Sequence, residues 1–148
     1  MLLLLLDHVS MNVNSKFAEN RTLLYLRALN GHTKMVQMLV ERGANISNTD
    51  DHGQNAVHAA SAMGHAEIVD ILLSKKADLV DKVVKQTNYT PLMLAAQGGH
   101  LEVCRILLKK YHADKRKKCN GKNALLIAKQ RSEEIKSYDT DIIKLLKK

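Results

Sequence analysis

The chain has 148 residues, a formal net charge of +8, 3% aromatic residues and two cysteines. The length fits a single domain, and so few cysteines exclude a disulfide-stapled secreted scaffold and indicate a reducing compartment, cytoplasmic or nuclear. No stretch approaches the ~20 apolar residues of a membrane span, which predicts a protein with no membrane partner.

The first apolar segment, Met1 to Leu6, does not have the pattern of a secretion signal. It contains five leucines, whereas a signal needs roughly 7 to 15 apolar residues, a basic leading segment and a small-residue cleavage site. We therefore interpret Leu2 to Leu6 as the end of a helix.

An internal repeat organises the rest of the chain. Equivalent positions recur at intervals of 33, 35 and 33 residues, and a period near 33 is typical of units that hold a turn and two helices. A Gly-His pair follows each of the first three positions after nine residues. The four positions are Thr22, Asn55, Thr90 and Asn123, and the pairs are Gly31-His32, Gly64-His65 and Gly99-His100.

Apolar residues follow each Gly-His pair at spacings of three and four, which places them on one face of a helix. The single proline, Pro91, falls at the predicted first turn of another helix, where its missing N–H costs nothing. Each unit is therefore predicted to hold two helices. The apolar stripes are Val36, Leu39 and Val40, then Ile68, Val69, Leu72 and Leu73, then Val103, Ile106, Leu107 and Leu108.

The third unit carries the clearest motif. It runs Thr90-Pro91-Leu92-Met93-Leu94-Ala95-Ala96-Gln97-Gly98-Gly99-His100. With this motif the chain resembles the ankyrin-repeat family over nearly all of its length. The resemblance implies an all-α fold, an ankyrin-repeat solenoid of stacked helix-turn-helix units with short hairpin fingers.

The same resemblance divides residues 1–148, taken as a single domain, into five parts. Because the chain begins inside a repeat, we expect it to be a piece of a longer protein. The parts are the tail of a truncated repeat (1–20), three complete repeats (21–53, 54–88 and 89–121) and a C-terminal capping repeat (122–148).

Three departures from the family pattern mark irregular places. Arg27 occupies a position that is normally a buried alanine, where an unpaired charge is costly. Two residues are added around Asp81 to Lys85. The last repeat contains an insertion, for which we predict a longer first helix and a loop through Gln130 to Tyr138, followed by a capping helix.

The histidines and cysteines are predicted to be structural. His32, His65 and His100 occupy successive units, and helices packed about 8 to 10 Å apart cannot bring them to one metal ion with Zn–N bonds near ~2.0 to 2.1 Å. In the family such histidines hold the turn between helices and bond neighbouring backbone. Cys104 is predicted to be a core residue and Cys119 an exposed free thiol.

The sequence offers no catalytic constellation. It has no Gly-rich phosphate motif and no Gly-x-Ser-x-Gly nucleophile motif. Glu133 and Glu134 are neighbours in sequence, but adjacent helical residues do not face each other. We therefore predict no enzymatic activity, no metal and no cofactor.

The resemblance implies that the chain binds another protein through a concave face made of hairpin fingers and first helices. The predicted fingers are Phe17 to Arg21, Asp50 to Gln54, Lys85 to Tyr89 and Lys117 to Lys122. The candidate protein-binding residues are Glu19, Arg21, Leu29, Asp51, His52, Gln54, Met63, Thr87, Tyr89, Gln97, Lys117 and Lys122.

Charge is distributed unevenly along the chain. Residues 1–104 carry 9 Lys/Arg against 10 Asp/Glu, a balance of −1, and residues 105–148 carry 14 against 5, a balance of +9. We expect a concave face that is acidic near Asp50 and Asp51 and basic at the last finger, which would orient an elongated partner.

The basic run Lys115, Arg116, Lys117 and Lys118 leaves three interpretations open. It is a solvated loop, a nuclear-import signal that binds an import receptor, or a nucleic-acid contact. No aromatic stacking platform accompanies the run, so nucleic acid is the least favoured.

Taken together, the sequence predicts a monomeric, non-catalytic protein-binding scaffold in the cytoplasm or nucleus. The alternatives are a regulatory ankyrin segment of a larger enzyme, a nuclear adaptor with a basic import signal, and an effector that a pathogen delivers into host cells. Leu6 followed by Asn12-Val13-Asn14 partly fits the asparagine that intracellular hydroxylases modify in this family, which makes Asn14 a candidate hydroxylation site.

Overall fold

The computed structural model describes residues 12–134 and 140–148. Within them the secondary structure is helical, with isolated β-bridges between Lys16 and Thr22 and between Cys119 and Lys122. This confirms the all-α prediction. The helices are α1 (Leu23–Leu29), α2 (Thr33–Glu41), α3 (Ala56–Met63), α4 (Ala66–Lys75), α5 (Pro91–Gly98), α6 (Leu101–Lys109), α7 (Ala124–Glu134) and α8 (Thr140–Lys147).

The first helix of each pair begins at one of the repeating positions. Thr22 accepts a hydrogen bond from the backbone N–H of Tyr25 at 3.1 Å, and Thr90 accepts one from Met93 at 3.2 Å. Asn55 and Asn123 cap α3 and α7 in the same way. Each cap satisfies a backbone donor that the helix itself leaves free, so the repeat period sets where the helices start.

The helices stack in two layers. The inner layer packs α1 on α3, α3 on α5 and α5 on α7, and the outer layer packs α2 on α4, α4 on α6 and α6 on α8. Fully buried alanines, such as Ala28, Ala60 and Ala95, let the inner helices approach closely. Larger residues, including Leu39, Leu72 and Leu107, fill the space between the layers.

The turn histidines tie each repeat to the one before it. His65 Nε2 lies 3.1 Å from the carbonyl oxygen of Leu29, and His100 Nε2 lies 2.9 Å from that of Ala62. The predicted structural role of these histidines is therefore confirmed. His32 instead contacts the Arg27 guanidinium at 3.0 Å. This half-buried arginine therefore has His32 as a partner.

The prediction that Cys119 is exposed was wrong. Its side chain is only 3% exposed, because the thiol donates a hydrogen bond to the Thr87 carbonyl oxygen at 2.9 Å in the base of the neighbouring finger. Cys104 is buried as predicted, and no disulfide joins the two cysteines.

Some predictions concern residues outside the described ranges. The helix end assigned to Leu2 to Leu6 lies there, as does most of the loop predicted to follow α7. The described part of α7 is longer than the first helices of the other pairs, with 11 residues against 7 or 8, as the insertion suggested.

Candidate functional site

A hairpin finger precedes each of the four described helix pairs, and each finger is closed by backbone hydrogen bonds. Two positions before each capping residue, every finger has a residue with positive φ, where only glycine and asparagine adopt the left-handed conformation at little cost. These residues are Asn20, Gly53, Asn88 and Gly121. The closing bonds join Phe17 to Arg21, Asp50 to Gln54, Val84 to Tyr89 and Cys119 to Lys122.

The fingers are also joined to one another. The backbone N–H of Asp51 donates to the Glu19 carbonyl at 3.0 Å, and that of Gln86 donates to the His52 carbonyl at 3.3 Å. At the third junction the Cys119 thiol takes the place of the backbone donor. The fingers therefore form one bonded row, which limits how far each can move by itself.

A polar cluster joins the first finger to the second. Arg21 lies 2.8 Å from Glu19 and 3.7 Å from the buried Asp50 carboxylate, and Tyr25 Oη donates to Gln54 Oε1 at 2.8 Å. Burial raises the pKa of the Tyr25 phenol, and the nearby Asp50 charge adds to the effect. Glu19, Arg21 and Gln54 therefore have internal partners, which reduces what they can offer to another protein.

A groove of about 540 Å³ lies between the second, third and fourth fingers and α5. We call it the finger groove. It brings together four predicted binding residues: Gln54, Thr87, Tyr89 and Gln97. Its other lining residues are Gln86, Asn88, Leu94 and Asn120, which were not among the predicted binding residues although three of them lie in predicted fingers.

A smaller cavity of about 210 Å³ continues toward the C-terminus and shares Tyr89 and Gln97 with the finger groove. Lys122 lies here, beside Gln130 and Arg131 of α7. Tyr89 therefore borders both cavities, and it is half-buried.

Other predicted binding residues lie away from the finger groove. Met63, at the end of α3, is 52% exposed, and Leu29, at the end of α1, is half-buried. Asp51 is exposed and accepts a hydrogen bond from Asn20 at 2.6 Å. His52 is half-buried. None of these four lines the finger groove.

The expected charge gradient does not extend into the finger groove, because every residue that lines the groove is uncharged. The Asp50 carboxylate turns inward, where one oxygen accepts the backbone N–H groups of His52 and Gln54 at 3.0 and 2.9 Å. This carboxylate holds the second finger in shape and contributes no exposed acidic surface.

The basic run is also divided. Lys115 and Arg116 line a separate cavity beside α6 and α8, whereas Lys117 donates to the Asp81 carbonyl at 3.3 Å and Lys118 is exposed. Lys110, also in the basic C-terminal third, pairs with Asp70 at 2.7 Å.

Asp70 in α4 and Tyr111, just after α6, connect two neighbouring helices of the outer layer. Tyr111 Oη donates to the Asp70 carboxylate. It also lies 3.0 Å from the backbone carbonyl oxygen of Asp70, to which it donates as well. Hydrogen bonds from Lys110 and Tyr111 lower the pKa of Asp70. Partial burial and the Asp70 carboxylate raise the pKa of Tyr111 to about 12.

The candidate hydroxylation site, Asn14, has its own partner. Its Oδ1 accepts the backbone N–H of Asn45 at 2.7 Å, so the side chain is held in place by the following repeat. Leu6, which completed the sequence match, lies outside the described residues.

Residues 12–134 and 140–148 contain no group of three or more His, Cys, Asp or Glu side chains placed to hold a metal ion. Among the helices described, none has the length and apolar character needed to cross a membrane.

Comparison with known sequences gives matches along the whole chain. The family model described as ankyrin repeats (three copies) matches residues 1–83 and 78–148. Human ankyrin repeat and KH domain-containing protein 1 is 35% identical over 98 residues, which cover 66% of this chain and 4% of that protein.

Two further relatives are named as enzymes. Tyrosine-protein kinase HTK16 of Hydra vulgaris is 33% identical over 97 residues, which cover 66% of this chain and 13% of the kinase. E3 ubiquitin-protein ligase XBAT33 of Arabidopsis thaliana is 28% identical over 120 residues, which cover 81% of this chain and 23% of the ligase. The chain thus spans less than a quarter of each of these relatives. The stacked helix pairs, the row of fingers and the family match lead to one conclusion: the chain belongs to the ankyrin-repeat family.

Proposed function

We propose that this chain is a non-catalytic module that binds a partner protein through the finger groove and the fingers that border it. Ankyrin repeats are general protein–protein interaction modules. The observation that supports this particular surface is the open groove of about 540 Å³ that gathers Gln54, Thr87, Tyr89 and Gln97.

The groove has the chemistry to hold an extended polypeptide. The side chains of Gln86, Asn88, Gln97 and Asn120 each offer both hydrogen-bond donors and an acceptor, and a peptide backbone requires both along its length. Tyr89 adds a large amphipathic ring, a side chain that often dominates binding energy at interfaces. Since the lining carries no charge, we expect this binding to depend only weakly on salt.

Site-specific photo-crosslinking in cells tests the proposal. A photoreactive amino acid replaces Gln97 in the groove or, as a matched control, Gln37, an exposed residue of α2. We expect a discrete crosslinked protein from position 97 that is absent from position 37.

The crosslink should weaken strongly when Tyr89→Ala is added, because truncating a central interface residue costs about 2 kcal/mol or more. Tyr89→Phe, which keeps the ring, should retain most of it. Equal crosslinking from positions 37 and 97, or an unchanged product with Tyr89→Ala in a folded variant, would contradict the proposal.

A second candidate is that the chain is the regulatory ankyrin segment of a larger enzyme. The kinase and ligase relatives, of which it spans 13% and 23%, favour this candidate. The test is to determine the open reading frame around the segment. A neighbouring catalytic domain whose activity changes when Tyr89→Ala is introduced would support a regulatory role. A full-length product without such a domain would oppose it.

A third candidate is a nuclear adaptor in which the basic run binds an import receptor. Replacing Lys115, Arg116, Lys117 and Lys118 by alanine in a fluorescent fusion should then abolish nuclear accumulation. Replacing Lys75 and Lys76, an exposed pair elsewhere, should not. If the basic run is not an import signal, we propose that the protein resides in the cytoplasm. We also propose that it is monomeric.

Modification of Asn14 can be tested separately from binding. Hydroxylation adds one oxygen to the native protein, and the Asn14→Ala variant isolated from the same cells should lack that mass. Intact-mass measurement with no added oxygen on the wild-type chain would dismiss the modification.

A further inference from the structure

A third cavity, of about 340 Å³, lies between the ends of α6 and α8 and the loop that joins α6 to α7. Its apolar side is formed by Leu108, Ala113 and Leu145, and its basic side by Lys109, Lys115, Arg116 and Lys148. We call it the basic pocket. It shares no lining residue with the finger groove.

The loop that forms the basic pocket is anchored at several points. The backbone N–H of Ala113 donates to the Leu107 carbonyl at 2.9 Å, and that of Asp114 donates to the Asp81 carboxylate at 2.9 Å. Asp114, the acidic residue of the pocket, accepts the backbone N–H of Arg116 at 2.9 Å. The pocket is therefore built on a fixed backbone, and its one carboxylate already has a partner.

The basic side chains in and near the pocket differ in the partners that they have among the described residues. Lys110 pairs with Asp70, and Lys117 reaches the Asp81 carbonyl. In contrast, the four basic side chains of the pocket form no ion pair with any described residue. Lysines at helix C-termini complement the helix dipole, which accounts for Lys109. Lys115 and Arg116 belong to no helix.

We propose that the basic pocket binds an acidic segment of a partner protein, with one aliphatic side chain of that segment seated against Leu108 and Leu145. Charge complementarity selects the acidic residues, and the apolar side selects the aliphatic one. A bare anion would gain nothing from that side, and among the described residues the lining offers the His112 imidazole but no Phe, Tyr or Trp side chain on which a nucleic-acid base could stack. The volume is at the lower end of the range for ligand sites, which suits one side chain.

Fluorescence anisotropy with the full chain tests the proposal. The probe is a fluorescein-labelled peptide in which glutamates surround a single leucine. The pocket variant combines Lys115→Glu with Arg116→Glu, and the matched control combines Lys117→Glu with Lys118→Glu. Both variants alter the net charge by the same amount within the same run, and circular dichroism checks that both stay folded.

We expect the pocket variant to bind the peptide at least about tenfold more weakly, with the control within about twofold of wild type. Added salt should weaken wild-type binding because the charges are exposed. Replacing the leucine of the peptide by serine should also weaken binding, since the apolar contact is lost. Tyr89→Ala should leave binding unchanged, which separates this site from the finger groove.

Three results would each overturn the proposal. Equal losses in the pocket and control variants would show attraction by overall charge alone. An unchanged affinity for the serine peptide would remove the apolar contact. Tighter binding of a labelled single-stranded oligonucleotide, lost in the pocket variant, would identify nucleic acid as the ligand.

Discussion

The third and fourth repeats expose the same helix positions to different surroundings. Met93 in α5 is 1% exposed, whereas Leu126, its equivalent in α7, is 41% exposed. Three residues further along, Ala96 is fully buried and its equivalent Lys129 is exposed. The first two repeats agree with the third. The residues they bury at these positions are Tyr25 and Ala28 in α1, and His58 and Ser61 in α3.

This difference shows which residues a helix face can carry when the next repeat covers it. A face covered by the next repeat favours apolar or hydrogen-bonded residues, because buried polar groups are costly without partners. Ser61 is an exception, since its buried Oγ has no hydrogen-bond partner among the described residues. The corresponding face of α7 carries a lysine, which could not be buried there without losing its hydration. That observation supports the proposed capping role of residues 122–148.

The largest loss of stability should come from placing in the third repeat the lysine that the fourth repeat carries at the equivalent position. Ala96→Lys puts a charge into the covered interface, and we expect a loss of about 4 kcal/mol or more of unfolding free energy. Lys129→Ala, the reverse exchange, should stay within about 0.5 kcal/mol of wild type. Urea denaturation measures both, and a stable Ala96→Lys variant would mean that the interface is not closed.

A smaller difference should separate Met93→Ala from Leu126→Ala. Truncating the buried methionine removes packing and leaves a cavity, at a cost of about 2 to 5 kcal/mol. Truncating the exposed leucine should cost less than about 1 kcal/mol, since water already reaches it. Equal losses in thermal or urea unfolding would refute the distinction between a covered and an open face.

His58 makes the covered face of the second repeat sensitive to acid. The Asn55 N–H donates to Nδ1 at 3.0 Å, so the neutral ring carries its proton on Nε2, which lies 2.5 Å from the Lys82 carbonyl oxygen. Burial lowers the pKa of His58 below its ordinary 6.5. The unfolded chain therefore binds a proton more readily, and stability should fall as the pH drops below about 6.5.

The expected loss for protonating His58 is about 1 to 3 kcal/mol, the cost of disrupting a buried hydrogen bond. His58→Gln, which does not titrate, should show a shallower dependence of its melting temperature on pH. Identical pH profiles for the wild type and the variant would show that the pKa of His58 is the same in the folded and the unfolded chain.

The smallest loss of stability should come from removing an exposed ion pair between neighbouring repeats. Asp70→Asn removes the charge that pairs with Lys110 and should cost no more than about 1 kcal/mol at pH 7, because exposed ion pairs contribute little. The pKa of Asp70 is lowered in the folded chain, so this contribution is present above its ordinary value of 3.8 and disappears as the pH falls further. Melting curves that stay separated at the lowest pH would contradict this assignment.

Much of the scaffold could be predicted from residues that lie close together in the chain. Thr22, Asn55, Thr90 and Asn123 cap helices through bonds to residues three positions later. The candidate site was predicted less completely. Gln54, Thr87, Tyr89 and Gln97 do share the finger groove, but no sequence signal distinguished them from Met63 and Leu29, which lie elsewhere.

The repeat period, the helix starts and the family follow from the sequence alone, because caps and apolar stripes depend on neighbours within a few residues. Only the tertiary structure decided that Cys119 is buried, that Asp50 turns inward and that the basic run divides at Arg116. The inward turn of Asp50 depends on hydrogen bonds within its own finger. The other two outcomes depend on contacts with a neighbouring repeat or finger, such as the bond from Cys119 to Thr87 across 32 residues. A periodic sequence specifies the stack, whereas the contacts between repeats specify which side chains remain available to a partner.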